Sequence, residues 1–352
     1  MVDETGKQPS RRSALSAGAA MVGWAAAGAF VSEASAADVV AAEIPANTPA
    51  DQMVVTLLGT GSPDLVPDRF GTSTLIQAGG MNLLFDAGRG CALRLNQIPL
   101  SLSKVDAVFI THFHSDHLNG LPDLWMMSYL PIASGMRRQP LALYGPKGIA
   151  RIATTMRDTF SDDVRIRMGE SLVPASGTEI AAKEFDTDGV MFERNGVQIT
   201  AFAVDHGPFG KPAYGYRINY AGKAVLISGD IRPVENLIAH AQNVTLLIHE
   251  VFVAPPPMLD LKHIQAIRAL HTTPEEAGAI FARVKPKMAA FTHVVKLGNP
   301  DNPAPTDREI EQRTRQNWSG PLVVGTDLTQ FLVRNDSVTV RHGNAMLKQA
   351  FA

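Results

Sequence analysis

Thr111-His112-Phe113-His114-Ser115-Asp116-His117 is the stretch on which the reading of this chain turns. Four side chains able to hold a metal fall within six residues, directly after the apolar run Ala107-Val108-Phe109-Ile110. Imidazoles and a carboxylate suit zinc and neighbouring first-row ions. Alternate residues of an extended segment point the same way, so the four divide into His112 with His114 and Asp116 with His117. Two metal ions held side by side are the expectation. The competing reading, surface or core histidines grouped by chance, sits poorly with such density at the end of a buried strand.

Working outward, other apolar runs also stop at residues able to bind metal or move protons. Residues 199–204 lead into Asp205-His206, 224–228 into Gly229-Asp230, 245–248 into His249-Glu250, and 288–292 into His293. Strands laid side by side would bring these tips to one sheet edge, where α/β proteins place their sites. Alone, His206 or His293 would read as an ordinary core or loop residue. Further strand candidates are 54–58, 73–77, 82–85, 107–110, 141–144, 216–220 and 330–334. Helices are expected at 89–98, 146–159 and 274–284, the last with Thr273 as cap, Pro274 in the first turn and Glu276 completing a capping box. Its apolar residues Ala277, Ile280, Phe281 and Val284 recur at helical spacing. Residues 159–196 are polar and irregular and receive no element.

The 352 residues are 45% hydrophobic and 19% charged, enough to bury a large core and too apolar for disorder. Net charge is −2 with no dense Lys/Arg run, so the electrostatic footprint of a nucleic-acid binder is missing. Cys91 is the only cysteine, which excludes an intramolecular disulfide. Ser10-Arg11-Arg12-Ser13-Ala14-Leu15 precedes an Ala/Gly-rich apolar stretch and the small-residue cleavage site Ala34-Ser35-Ala36. Residues 1–36 therefore read as a cleavable, twin-arginine-like export signal. Ala14 stands where such signals usually carry Phe, which leaves the ordinary secretory route open. A stretch so rich in Ala and Gly makes a poor permanent membrane anchor. The expected plan is the signal, a linker over 37–52, one catalytic domain over 53–345 and a tail over 346–352. The expected destination is the periplasm or the exterior of a bacterial cell.

Several motifs together resemble the metallo-β-lactamase superfamily, and within it the ribonuclease Z and arylsulfatase-like branch. They are Leu58-Gly59-Thr60-Gly61-Ser62-Pro63, Leu84-Phe85-Asp86-Ala87-Gly88, the histidine stretch, Tyr214-Gly215-Tyr216-Arg217-Ile218, Ser228-Gly229-Asp230-Ile231-Arg232-Pro233, His249-Glu250 and His271-Thr272-Thr273-Pro274-Glu275-Glu276-Ala277. The resemblance spans residues 57–333 and implies an α/β fold, a four-layer αββα sandwich. It implies that His112, His114 and His206 hold one divalent metal ion and Asp116, His117 and His293 a second, with Asp230 bridging. Zinc is the first expectation, with manganese or iron open. It also implies that Asp86 fixes a ligand imidazole, against the alternative of a plain turn residue before Gly88. Asp116 would accept the proton of the attacking water, and His271, oriented by Glu250, would protonate the leaving oxygen. Asp205 receives no more than a surface or supporting role, and His249 is expected simply to be buried.

For substrate, the resemblance implies two directions. Ribonuclease Z enzymes carry a long transfer-RNA-gripping arm between the segments matching Gly215–Ile218 and Ser228–Asp230. Here only residues 219–227 separate them, with Tyr220-Ala221-Gly222-Lys223 reading as a tight hairpin turn. The expectation is thus an exported hydrolase of a small phosphodiester or aryl sulfate ester, without a nucleic-acid partner or a membrane anchor. A lactonase or β-lactamase activity is the first alternative, and a ribonuclease Z-like transfer-RNA 3′ endonuclease the second. A homodimer is compatible with the resemblance, though no stretch marks an interface. Trp125, Met126, Met127 and Tyr129 are read as helix core rather than pocket lining, and Phe252 with Pro255-Pro256-Pro257 as a stiff wall near the pocket mouth.

Overall fold

A computed structural model of the chain describes residues 52–98, 100–170 and 173–342. The expected export signal over 1–36, all but the last residue of the expected linker over 37–52, and the expected tail over 346–352 lie outside these residues. No helix among the described residues is long and apolar enough to cross a membrane.

The strands are β1 (Met53–Gly59), β2 (Ser73–Ala78), β3 (Met81–Phe85), β4 (Ala107–Phe109), β5 (Leu141–Pro146), β6 (Ile180–Phe185), β7 (Gly189–Arg194), β8 (Val197–Ala203), β9 (Tyr214–Tyr220), β10 (Lys223–Ile227), β11 (Leu246–Val253), β12 (Met288–Lys296), β13 (Leu322–Val324), β14 (Thr329–Val333) and β15 (Val338–Arg341). The helices are α1 (Cys91–Gln97), α2 (Ser115–Leu118), α3 (Leu121–Tyr129), α4 (Ile149–Thr159), α5 (Ser161–Gly169), α6 (Glu235–His240), α7 (Lys262–Arg268), α8 (Pro274–Val284) and α9 (Asp307–Thr314). One sheet runs β15-β14-β1-β2-β3-β4-β5-β6, the other β13-β12-β11-β10-β9-β8-β7.

Alternation along the strands builds the layers. Met53, Val55 and Leu57 of β1 face a core between the sheets, where they join Phe85, Phe109, Tyr216, Ile218 and Ile248. Leu75, Leu84 and Val108 face the other way, against Leu95 of α1, Trp125 of α3 and Ile149 of α4. On the second sheet Leu226, Leu247 and Phe291 pack outward against Leu237 of α6, Phe281 of α8 and Ile310 of α9. Helix, sheet, sheet and helix make the expected four-layer αββα sandwich. Its central layer is dense in aromatics: the Phe85 and Phe109 rings stack at 5.0 Å and both meet Tyr216 edge-on.

Strands β3 to β6 run parallel in the first sheet and β10 to β13 parallel in the second. The carboxyl ends of β4 and β10 in these runs lead into five of the candidate ligands, while His206 follows β8 and His293 lies within β12. Helix α8 has the anticipated capping box, with Thr273 accepting from the Glu276 amide and Glu276 Oε2 accepting from the Thr273 amide at 2.8 Å. Helix α4 begins at Ile149 rather than 146, because Pro146 still belongs to β5.

Candidate metal centre

The short strand β4 ends at Phe109, and the next residues are anchored before any metal chemistry begins. Asp86, in the left-handed region at φ 56°, accepts the Thr111 amide at 2.8 Å and the Thr111 hydroxyl at 2.9 Å. The same carboxylate lies 2.8 Å from His117 Nδ1, so Nδ1 donates and Nε2 is turned toward Asp230. Thr111 Oγ1 also lies 3.0 Å from His112 Nδ1. Asp86 therefore holds the imidazole of His117, a candidate ligand, in place, beyond serving the turn before Gly88. Thr111, which the sequence reading passes over as a mere neighbour of the histidines, links Asp86 to two of them.

The second sheet supplies the remaining groups. His206 follows β8 and donates from Nδ1 to the Leu270 carbonyl at 2.9 Å, leaving Nε2 at 3.1 Å from His114 Nδ1. Asp230 follows β10. His293 lies inside β12, where Thr292 and His293 together stand opposite the single residue Glu250 of β11. This bulge, with His293 at φ 42°, turns the imidazole out of the ladder and into the site. Both strands run further than their apolar runs suggest: β11 continues through His249-Glu250 to Val253 and β12 through His293 to Lys296.

Candidate ligand atoms of His112, His114, His206 and Asp230 lie within 4.8 Å of one another, and so do those of Asp116, His117 and His293. Asp230 stands between the sets, with Oδ2 at 3.8 Å from His112 Nε2, 3.7 Å from His206 Nε2 and 3.3 Å from His293 Nε2, and Oδ1 at 3.4 Å from His117 Nε2. Asp116 Oδ2 lies 3.0 Å from His293 Nε2. All seven side chains named from the sequence thus converge.

The electrostatics fit cations. His112 Nε2, His117 Nε2 and Asp230 Oδ1 are buried without a hydrogen-bond partner, a costly state that a metal ion relieves. Burial pushes His112 well below the usual imidazole range and lowers His114 and His206 as well, which keeps the three neutral, as ligands must be. His117 behaves oppositely. Burial opposes its charge, but Asp230, Asp86 and Asp116 outweigh burial and raise it, so a proton sits where a cation would. Asp230 is buried too, yet His293 and His117 hold its carboxyl well below the ordinary range.

Beside these ligands His271 stacks on His293 at 5.7 Å and on Phe252 at 6.5 Å. Its Nδ1 lies 3.3 Å from Glu250 Oε2, while Glu250 Oε1 accepts the Thr272 amide at 2.8 Å. Burial alone would depress the imidazole, but Glu250 more than offsets this and lifts it to about 9. His249 is fully buried, with Nδ1 on the Glu250 carbonyl at 2.7 Å, and burial lowers its pKa. Asp205 pairs with Arg232 at 2.5 Å, outside the cluster. Trp125 and Tyr129 are core residues.

Residues 81–294 match the family model described as a beta-lactamase superfamily domain. The chain belongs to the metallo-β-lactamase superfamily. Among curated members, the ribonuclease Z of Mycobacterium avium (strain 104) is 31% identical over 282 residues, 78% of this chain and 96% of that protein. The ribonuclease Z of Mycolicibacterium gilvum (strain PYR-GCK) is 34% identical over 255 residues, 70% of this chain and 85% of its own. Among solved structures, the metallo-β-lactamase fold protein YhfI from Bacillus subtilis aligns with TM-score 0.59 at 21% identity, covering 80% of this chain and 100% of its own. Human tRNase Z, short form, aligns with TM-score 0.57 at 22% identity, covering 79% of this chain and 98% of its own. These structural likenesses show the shared metallo-β-lactamase fold.

The relatives correct two expectations. A hydrolase of small phosphodiesters or aryl sulfates, acting without nucleic acid, is overturned by ribonuclease Z relatives that match over 78% of the chain. The physical reason is that both arguments rest on features away from the chemistry. The short β9–β10 turn removes one gripping element, and a net charge of −2 averages over the whole surface. Neither alters what seven converging ligands can hydrolyse.

Proposed function

We propose that this metal-dependent hydrolase is a ribonuclease Z-type endonuclease cleaving an RNA phosphodiester near the 3′ end of a transfer-RNA precursor. The observation that carries the reading is the meeting of two ligand sets at Asp230 with the His271–Glu250 pair beside them; the ribonuclease Z relatives supply the substrate class. His112, His114 and His206 would hold one divalent ion and Asp116, His117 and His293 the other, zinc before manganese or iron, with Asp230 shared. Such a pair acidifies a water and stabilises charge on a phosphoryl oxygen. Asp116 would accept the proton of the attacking water. Glu250 orients the His271 ring through Nδ1 and keeps it charged, and His271 Nε2 passes its proton to the departing ribose oxygen. Phe209, 98% exposed and three residues beyond His206, offers a ring on which a base of the substrate strand stacks.

The test is incubation of the metal-loaded protein with a 3′-extended transfer-RNA precursor, beside bis-p-nitrophenyl phosphate. Chelator-sensitive endonucleolytic cleavage of the RNA is expected. Hydrolysis of the small diester with intact RNA would refute the assignment. Export is a separate proposal, resting on Arg11-Arg12 and Ala34-Ser35-Ala36; cell fractionation tests it, and retention of an unprocessed chain in the cytoplasm would defeat it.

A further inference from the structure

The parallel strands have a second end. Where β3, β4, β5 and β6 begin, away from the candidate metal ligands, lies a cavity of about 1040 Å³. Arg137 reaches into its wall from the segment preceding β5 and is 5% exposed. Its Nε donates to Ser128 Oγ at 3.0 Å and its Nη2 to the carbonyls of Leu102 at 2.8 Å and Val105 at 2.9 Å. These partners are all neutral. Among the described residues Nη1 has no hydrogen-bond partner, and it is not one of the fully buried unpartnered atoms, so it keeps some access to solvent. Lys104 and Arg194 line the same space, and among the described residues neither they nor Arg137 form an ion pair. Asp106 is the one carboxylate in the wall, and its Oδ2 accepts the Asn82 amide at 2.8 Å. Burial pushes the Arg137 guanidinium down to about 10.

Three cations against one carboxylate leave a net positive charge around a half-open space: Lys104 and Arg194 are exposed, and buried Arg137 has only the charge of Asp106 to offset it. Guanidinium and ammonium groups around a cavity match phosphate oxygens in charge and geometry. The rest of the wall suits a ring attached to that phosphate. Ile98, Leu100 and Pro140 offer apolar surface, and Gln139 offers an amide. The volume lies just above the ~300–1,000 Å³ typical of small-molecule sites. We infer that this cavity binds a phosphate-bearing small molecule of mononucleotide size, with its phosphate on Arg137, Lys104 and Arg194. The inference stands apart from the metal centre and from the RNA reading.

Calorimetric titration of the metal-loaded full chain with adenosine 5′-monophosphate tests it, with adenosine and inorganic phosphate as comparisons. One binding event per chain is expected that Lys104→Ala/Arg194→Ala weakens at least about tenfold, with metal content and melting temperature unchanged. Adenosine and inorganic phosphate should each bind more weakly than the nucleotide. Absence of saturable binding, or binding only of a kind that survives the double substitution, overturns the site. Adenosine binding as tightly as the nucleotide removes the phosphate from the argument, and phosphate binding as tightly removes the nucleotide; either result defeats the inference as stated.

Discussion

Asp230 faces histidines of both ligand sets, so replacing any one ligand disturbs the balance of charge around a shared carboxylate. His114→Ala is expected to lower bound metal, read by elemental analysis. His271→Ala should retain metal and lose about a hundredfold or more in turnover, because His271 stacks beside the ligands and its Nδ1 faces Glu250. The sign of the pH effect follows from the same pair. An acid catalyst works below its pKa, and Glu250 raises that of His271, so activity should fall on the alkaline side. Glu250→Gln removes the supporting charge and should move that alkaline limb to lower pH; a pH–rate profile with an unmoved limb would separate Glu250 from His271. Phe209→Ala should raise KM for RNA and leave hydrolysis of bis-p-nitrophenyl phosphate untouched. At this scale the sequence is most legible for His112, His114, Asp116 and His117, whose spacing is itself the signal. Thr111 is illegible, because a threonine after an apolar strand announces nothing until its partners Asp86, His112 and His117 fold around it.

Every strand anticipated from apolar patterning is present, and the four that escape notice are β6, β7, β13 and β15, the outer strands of the two sheets. An edge strand has a neighbour on one side only and tolerates polar residues. Thus Ile180-Ala181-Ala182-Lys183-Glu184-Phe185 and Gly189-Val190-Met191-Phe192-Glu193-Arg194 carry exposed and half-buried positions along most of their length and lack a continuous apolar face. The bulge that delivers His293 is likewise invisible in the sequence, since it is a matter of register between β11 and β12. Helix α8, by contrast, is read in full from its cap, and Thr273→Ala should cost about 1 kcal/mol in urea denaturation. On α1, burial and then Asp123 raise the Cys91 thiol from its ordinary 9.0 to about 12. The native protein should resist thiol-specific reagents and react on unfolding. An unfolded thiol ionises from about pH 9 while the folded one stays protonated, so this contribution to stability is lost as pH rises above that range.

On the scale of the whole molecule, residues on both sheets furnish each candidate metal position: His112 and His114 from the first sheet meet His206 and Asp230 from the second, and Asp116 and His117 meet His293. Chelation should therefore lower the melting temperature as well as abolish turnover. A ligand bound only by the folded state, at a thousand times its dissociation constant, stabilises by about 4 kcal/mol. Residues 186–188, between β6 and β7, carry the chain from the first sheet to the second, and residues 325–328, between β13 and β14, carry it back. A chain severed at 186–188 would become two polypeptides, one carrying β1 to β6 and the other the whole second sheet with β14 and β15. Neither fragment would own a complete ligand set. Their reunion would be a recombination gated by divalent ions, slowed by a chelator and restarted by zinc.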